Sequence, residues 1–544
     1  MLIPAIPFTP TLLPLTLFLS QPRPNVQCGH AEASCPLSLP RAERYLSGNR
    51  FTGVAVSHRF TRRHLVGGAG ALAAGLAIPT AEAQQAAVAL PGGTPRAFPP
   101  NFVWGTATSA YQIEGAIDAE GRGRSIWDTY TRLPNKIRDN SNGDRANEHF
   151  ARYKQDVALM KELGTTAYRF SIAWPRVFPD GTGTPNPKGL DFYNRLIDEL
   201  LANGITPYAT LYHWDLPQAL QDRVGGWASR ETSKAFGDYA GYVAKHITDR
   251  VKHVFTINEC ATFVDFGYGV APIEMAPGIK STQKELNQIR HHVALGHGLA
   301  VQAVRSQGRP GTEVGVAENL ASCIPVIETP EHIRASEIAT REMNGGYLTV
   351  IMEGRYTDAF LAYAGGNAPV FTEEDLKIIG SPIDFLGLNI YMPQHYVAAP
   401  ADAAGFALIP EPASFPRMAS DWLRVGPEAM YWAPRNVAKL WNVKKIFITE
   451  NGASASDKPA PDGRIFDLDR IMYLRAYLGQ LQRATSEGVP VQGYFHWSLM
   501  DNFEWIDGFE KRFGLYHVDF QTQKRTPKLS AEFYRKLIAA NALV

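Results

Sequence analysis

The chain is poor in cysteine. Its four cysteines (Cys28, Cys35, Cys260 and Cys323) are spread over 544 residues, too few for a disulfide framework or a cysteine-built metal site. Surplus charge is also missing: 54 basic against 53 acidic residues leave a formal net charge of +1. Such a balance gives no electrostatic footprint for nucleic acid or an acidic surface as partner. No repeat of fixed period is visible, and beyond the first 90 residues no apolar run reaches the length of a membrane span. A glycine-rich phosphate loop is absent where a doubly wound sheet would carry one, since the first strand-like run continues as VWGTATSAYQIEG. Aromatic residues are plentiful, at 11%, and many stand beside Asn, Asp and Glu.

The N-terminus reads as an address rather than as part of a fold. Residues 61–84, TRRHLVGGAGALAAGLAIPTAEAQ, place a twin arginine (Arg62, Arg63) before a modestly apolar stretch that ends in Ala81-Glu82-Ala83. This resembles a bacterial twin-arginine export signal cleaved after Ala83, and predicts a periplasmic or secreted protein. Residues 1–20 are apolar, but four prolines and no leading basic residue argue against a spanning helix. A start site assigned too far upstream is the simplest account of residues 1–50. The expected organisation is therefore a leader over 1–83, a linker over 84–97 and one catalytic domain over 98–544.

From Phe98 onward, short apolar runs alternate with longer amphipathic ones. The strand candidates are 103–112, 167–176, 206–215, 253–259, 313–320, 384–391, 445–452 and 491–505. Helix-period stretches such as ARYKQDVALMKELG and FYNRLIDELLANG lie between them, the second closed by a glycine. Eight alternations of strand and helix predict an α/β fold, a closed (β/α)8 TIM barrel in a single domain with loop insertions at its C-terminal face. Residues 399–416, rich in Pro and Ala, read as an irregular insertion after the sixth strand.

Each run ends in polar groups: Gln112, His213-Trp214-Asp215, Asn258-Glu259, Asn319, Asn389 with Tyr391, Glu450-Asn451, and Glu504-Trp505. Arg169 comes earlier in its run and is expected deeper in the mouth. In such a barrel the C-terminal strand ends meet at one opening. A single polar strand end is unremarkable, but eight mixing carboxylates, amides and indoles predict a cavity wall. Glu259 and Glu450 each follow an apolar run, on the fourth and seventh strands. Paired carboxylates across a cavity suit glycoside cleavage, with retention of configuration at roughly 5–5.5 Å separation and inversion at roughly 6.5–9.5 Å. The lining suits a pyranose, with amides, an imidazole and a carboxylate for hydroxyls and Trp214, Trp497, Trp505 and Phe513 for C–H faces.

The segments YQIEGA, YRFSIAWPRVFP, YHWDLP, TINE, DFLGLNIY, ITENG and GYFHWSLMDNFEW…RFGLYHVDF resemble those of family-one glycoside hydrolases, the retaining β-glucosidase group. The resemblance runs from about Phe98 to Tyr534, with its motifs in the family's order. It implies that Glu259 is the general acid/base and Glu450 the nucleophile. Tyr391 and Arg169 would support Glu450, the arginine keeping it ionised. Gln112, His213, Asn258, Glu504 and Trp505 would bind the first sugar, with Trp497 as its floor and Phe513 near its 6-position; Trp214 and Asn389 complete the lining. The expected reaction is release of terminal β-D-glucosyl residues from cello-oligosaccharides or aryl glucosides, without cofactor or metal. A β-galactosidase or β-fucosidase of the same mechanism, a transglycosylating glucosidase and a non-catalytic sugar-binding barrel are the alternatives.

Three positions depart from the family pattern. Cys260 replaces the proline that follows the acid/base, Ile390 replaces a tyrosine before Tyr391, and ANEHF (146–150) replaces a Cys/Asp-His-Tyr arrangement. Alternation along a strand predicts that Cys260 faces the helical layer and is inert there. Glu504-Trp505 is present where phospho-glycosidases carry a phosphate-binding set, which favours an unphosphorylated sugar. His291, His292 and His297 lack a carboxylate or thiol at ligand spacing and read as helix, and Asp501 with Asn502 are expected to hold the eighth loop together.

Overall fold

The structure is a computed structural model that describes residues 96–400, 405–455 and 457–544. The export signal, its cleavage site and nearly all of the proposed linker lie outside the described residues. The eight barrel strands are β1 (Val103–Ala107), β2 (Ala167–Ser171), β3 (Thr206–Tyr212), β4 (His253–Asn258), β5 (Glu313–Glu318), β6 (Phe385–Asn389), β7 (Ile446–Asn451) and β8 (Val491–Trp497). Each pairs in parallel with its neighbours in chain order, and β1 closes the ring on β8 through Val103↔Gly493 to Ala107↔Trp497. The predicted (β/α)8 barrel is the observed fold. Its strands are apolar on both faces because helices cover the outside and side chains fill the inside.

The filling explains how the barrel carries a rigid mouth. Tyr208, Phe255, Phe385, Phe447 and Phe495, from five strands, form a ring of edge-to-face and tilted contacts with centroids 4.9 to 6.5 Å apart. Glycines on other strands admit these rings. A Cβ on Gly105 would stand 2.4 Å from the Phe495 ring, and one on Gly315 would stand 2.3 Å from the Phe385 carbonyl and 2.4 Å from its ring. The aromatic plug closes the barrel below the polar strand ends, so what opens at the mouth is a pocket and not a pore.

The helices follow the predicted stretches. Helix His149–Leu163 stops at Gly164 with φ +82°, and helix Pro187–Ala202 opens on proline and is followed by Gly204 with φ +74°. Helix Gln283–Gln307 carries the three histidines, all engaged in packing contacts. His291 Nδ1 pairs with the Tyr356 hydroxyl at 3.0 Å, His292 Nδ1 with the Trp227 carbonyl at 3.2 Å and His297 Nδ1 with Thr256 Oγ1 at 2.7 Å. Among the described residues no helix is long and apolar enough to cross a membrane.

Several strands are shorter than the sequence runs suggest. The first ends at Ala107 and the chain turns into a short helix, Ala110–Ile113, which carries Gln112. The last ends at Trp497, and residues 498–505 form a loop. That loop is held from below by buried ions. Asp501 accepts from Lys528 Nζ at 2.6 Å, Arg512 Nη1 at 2.7 Å and the Gly514 amide at 3.0 Å, while Lys528 also reaches Asp457 at 2.5 Å. In the insertion after β6, Ala407–Ile409 is a strand, paired antiparallel with His395–Ala398. The irregular reading of 399–416 missed this three-residue edge because so short a strand shows no alternation.

The plug makes the glycines of the barrel testable. Gly315→Ala is expected to cost about 1–3 kcal/mol through overpacking against Phe385, seen as a lower thermal midpoint in circular dichroism.

Candidate active site

All thirteen residues singled out from the sequence gather at the C-terminal mouth, joined by hydrogen bonds and ring contacts. Arg169 organises the centre. From β2 its guanidinium crosses the barrel over the Phe255 ring, 5.2 Å from the centroid. Nη1 donates to Glu450 Oε1 at 2.7 Å, Nη2 to Asn258 Oδ1 at 2.6 Å, and Nε to Thr210 Oγ1 at 3.1 Å. Arg169 is fully buried. The second oxygen of Glu450 accepts from the Tyr391 hydroxyl at 2.8 Å. Tyr391 is itself seated by Tyr473, whose hydroxyl donates to the Tyr391 carbonyl at 2.8 Å.

Glu259 is held differently. Asn389 Nδ2 donates to its Oε1 at 2.7 Å and to Asn258 Oδ1 at 3.0 Å, while Thr449 Oγ1 donates to Asn389 Oδ1 at 2.7 Å and so fixes the amide's orientation. Among the described residues Glu259 pairs with no cation. Burial, and then the charge of Glu450, push its pKa up to about 8. Burial also raises Glu450, but there the Arg169 charge, the Arg169 hydrogen bond and the Tyr391 hydroxyl pull the other way. The environments of the two carboxyls therefore split their proton affinities, with the proton favoured on Glu259.

The lining is aromatic and amidic. The Asn258 oxygen is taken by Arg169 and Asn389, so its Nδ2 donates to His213 Nε2 at 3.2 Å. That bond leaves the proton on His213 Nδ1, a buried atom with no partner among the described residues. Burial, and then the Arg169 charge, depress the His213 pKa well below its usual value, so the ring is neutral. His213 lies between Trp497 and Trp505, nearly parallel to both at 5.8 and 6.0 Å. Trp214 packs on Trp505 at 4.5 Å and donates its indole N–H to the Asn258 carbonyl at 2.9 Å. Gln112 Oε1 accepts from Ser109 Oγ at 2.6 Å, and its Nε2 donates to the Phe503 carbonyl at 2.9 Å, to Asn502 Oδ1 at 3.1 Å and to Glu504 Oε2 at 3.4 Å. Asn502 also donates to Ser498 Oγ at 2.9 Å, so it and Asp501 shape the eighth loop. Phe513 meets Tyr391 edge-on at 6.3 Å.

Burial, then the charges of Asp507 and Glu450, lift Glu504 well above the carboxylate range. Among the described residues no cation pairs with Glu504, so the site offers no partner for a 6-phosphate.

The fourth strand corrects one expectation. It stops at Asn258, Glu259 takes a left-handed backbone (φ +51°, ψ +68°), and Cys260 begins helix Cys260–Gly267. Cys260 is fully buried and burial raises its thiol pKa well above normal, so it is inert as expected. The reason is the turn into a helix rather than strand alternation. Two residues near the site escaped sequence reasoning. Trp422 stacks on Phe513 at 6.4 Å and meets Tyr391 edge-on at 5.7 Å, from a segment with no periodic signal. Glu318, the last residue of β5, is buried behind Glu259, where burial raises its pKa to about 7. Its neighbour Asn319 donates to Thr262 Oγ1 at 2.5 Å. Among the described residues no group of three or more His, Cys, Asp or Glu side chains is placed to hold a metal ion.

A carboxylate clamped by a cation and a phenol, opposite a carboxyl without a cation, can divide nucleophilic from proton-transfer work. Comparison with known proteins accords with that chemistry. The profile of Glycosyl hydrolase family 1 matches residues 94–543. Beta-glucosidase A of Thermotoga maritima is 41% identical over 449 residues, covering 82% of this chain and 98% of its own. The 1,4-beta-D-glucan glucohydrolase of Thermotoga neapolitana is 40% identical, covering 82% and 99%. Beta-glucosidase of Agrobacterium is 40% identical, covering 81% and 95%. Solved structures of the Thermotoga maritima β-glucosidase with glucoimidazole and with deoxynojirimycin superpose with a TM-score of 0.74 at 40% identity, covering 82% of this chain and all of theirs.

Proposed function

This chain belongs to glycosyl hydrolase family 1, and from that premise we propose how it works as a retaining β-glucosidase, with Glu450 as nucleophile and Glu259 as general acid/base. The observation that carries the assignment is the asymmetry of the two carboxyls: Arg169 and Tyr391 hold Glu450, while Glu259 is held by the Asn389 amide and pairs with no cation among the described residues.

In the first step Glu450 attacks the anomeric carbon while Glu259 gives its proton to the glycosidic oxygen. The C–O bond to the aglycone breaks, and a glucosyl ester on Glu450 remains. Esterification removes the Glu450 charge, which is the second largest influence holding the Glu259 pKa up. Glu259 then takes a proton from water, the water attacks the anomeric carbon, and glucose leaves with its configuration retained. Arg169 loses its charged partner during the ester's lifetime, and regains it when the ester is hydrolysed.

The glucosyl group sits on Trp497, flanked by Trp505. Gln112, Glu504, the His213 Nδ1–H and Asn258 meet its hydroxyls, and Phe513 borders the 6-position. Neutral His213 supplies a donor without placing a charge against the sugar. Trp214 and Asn389 orient Asn258 and Glu259. The substrates are the non-reducing ends of cello-oligosaccharides or aryl β-glucosides, a reading supported by the glucan glucohydrolase and the glucose-like inhibitors among the relatives. The enzyme works in the periplasm or outside the cell, delivered through the twin-arginine segment at 61–84.

Glu450→Gln is expected to lose at least about a thousandfold in kcat on p-nitrophenyl β-glucoside. A 2-deoxy-2-fluoroglucoside should add its mass to the peptide bearing Glu450, and a label elsewhere refutes the assignment. The pH profile is a second test. Glu259 must be protonated to act, and its pKa is raised to about 8, so kcat/KM should fall as pH rises through about 8. An alkaline limb near the ordinary carboxylate value would exclude Glu259 as the acid. For export, the processed protein should begin at Gln84 on N-terminal sequencing, and Arg62→Lys with Arg63→Lys should leave unprocessed precursor in the cytoplasm.

A further inference from the structure

We infer that Glu318 is a positioning residue for the acid/base: with the adjacent Ala317 carbonyl it holds three consecutive amides, 259 to 261, and so fixes the backbone from which the Glu259 carboxyl projects. The Glu259 N–H donates to the Ala317 carbonyl at 2.8 Å, the Cys260 N–H to Glu318 Oε2 at 3.0 Å, and the Ala261 N–H to Glu318 Oε1 at 3.3 Å. The end of β5 thus takes up the amide of the left-handed residue and the two amides that follow it. This inference rests on the acid/base role of Glu259 and adds the means by which that group is placed.

Three observations make the contact more than a routine helix cap. Glu259, at the N-cap position, makes no capping bond with its own side chain, which faces the pocket. The first amides of helix Cys260–Gly267 therefore need another acceptor. Next, a left-handed backbone at a glutamate is strained and persists only where its surroundings over-determine it. Finally, Glu318 is 1% exposed and its acceptors face backbone amides rather than a cation. A carboxyl buried in that way would be costly at a strand end if the amides did not use it.

The residue at 260 explains why the acceptor is needed here. Position 260 is the first of the helix, where proline fits without losing a helical hydrogen bond. Proline brings a fixed φ and no N–H. Cysteine brings a free φ and one N–H that must be satisfied in a buried place, and Glu318 satisfies it. Rigidity that a ring would give covalently comes here from a hydrogen bond across to β5. The two residues should therefore be energetically coupled.

The test uses the whole enzyme with four variants: Glu318→Leu, Glu318→Gln, Cys260→Pro and Cys260→Pro/Glu318→Leu. Each is assayed on phenyl β-glucoside, whose leaving group needs the acid, and on 2,4-dinitrophenyl β-glucoside, whose leaving group does not. Misplacing a catalytic group by about an ångström costs up to about a hundredfold. Glu318→Leu should therefore lose about ten- to a hundredfold in kcat/KM on phenyl glucoside and less than about threefold on the dinitrophenyl substrate. Glu318→Gln, which keeps one acceptor oxygen, should lose less than Glu318→Leu. The double variant should recover most of the phenyl glucoside activity. Equal losses on both substrates, or a double variant no better than Glu318→Leu, would reduce Glu318 to a structural residue and overturn the inference. Glu259→Ala separates this failure from that of the underlying reading. If Glu259 is the acid/base, its alanine variant shows the same leaving-group selectivity and recovers turnover of the dinitrophenyl substrate with added azide. Absence of both would refute the acid/base role itself.

Discussion

A single buried arginine sets the geometry on which the site depends. Arg169 comes from β2, yet its nitrogens reach β3, β4 and β7 through Thr210, Asn258 and Glu450. A guanidinium's donors lie in a fixed plane, so holding three partners at once fixes their relative positions. Asn258 can offer only one side of its amide to Arg169, which turns its Nδ2 toward His213 and hence sets the imidazole's tautomer. Asn389 shares the Asn258 oxygen and is thereby aimed at Glu259. The aromatic plug keeps water from Arg169 on its lower side and offers the Phe255 ring as a partner. With that support the cation exerts its full effect on Glu450.

The same burial that strengthens this ion pair separates the two carboxyls chemically. Both lose hydration, which favours the neutral form of each. Arg169 and Tyr391 offset that loss at Glu450, and nothing comparable offsets it at Glu259. In the proposed mechanism, two glutamates with the same intrinsic acidity divide in this way into a nucleophile and an acid. The division is coupled to the reaction coordinate, because an ester at Glu450 withdraws the charge that helps keep Glu259 protonated. A site with the two carboxyls in equal environments would share one proton between them and perform neither step well.

The sequence was most legible where regular structure and motif order coincide. Eight apolar runs separated by helix-period segments predicted the barrel, because burial on both faces of a parallel strand leaves a strong local signature. It was less legible at strand ends. The run 103–112 reads as one strand, but Ala110–Ile113 is a helical turn, and polar residues there reach the mouth from a loop rather than from the sheet. Alternation likewise failed at Cys260, since period-two logic stops where Glu259 takes a positive φ. Glu318 was hidden for a different reason. Among VGVAENL it looks like an ordinary strand terminus, and its partners are amides 57 and 58 residues away. Trp422 lies in an irregular segment whose place beside Phe513 depends on tertiary folding alone.

The mouth of this barrel concentrates groups that are costly to bury, and that bears on why so much of the remaining structure is over-built. Glu259 and Glu504 are buried acids with strongly raised proton affinities, the His213 Nδ1 finds no hydrogen-bond partner among the described residues, and Glu259 and Trp505 have positive φ angles. Each feature costs stability in the free enzyme. A bound sugar relieves several of them at once, since its hydroxyls can accept from His213 and exchange hydrogen bonds with Glu504. Preorganisation of this kind lets the pocket meet a transition state without rearranging, but the fold must supply the deficit elsewhere. Five aromatic rings packed against glycines do so below the site. The Asp457–Lys528–Asp501 chain does so behind the eighth loop, and the amides paired to Ala317 and Glu318 do so beside the acid. The strained centre and its rigid surroundings are thus one design, in which the scaffold holds polar groups at the mouth in positions they would not keep alone.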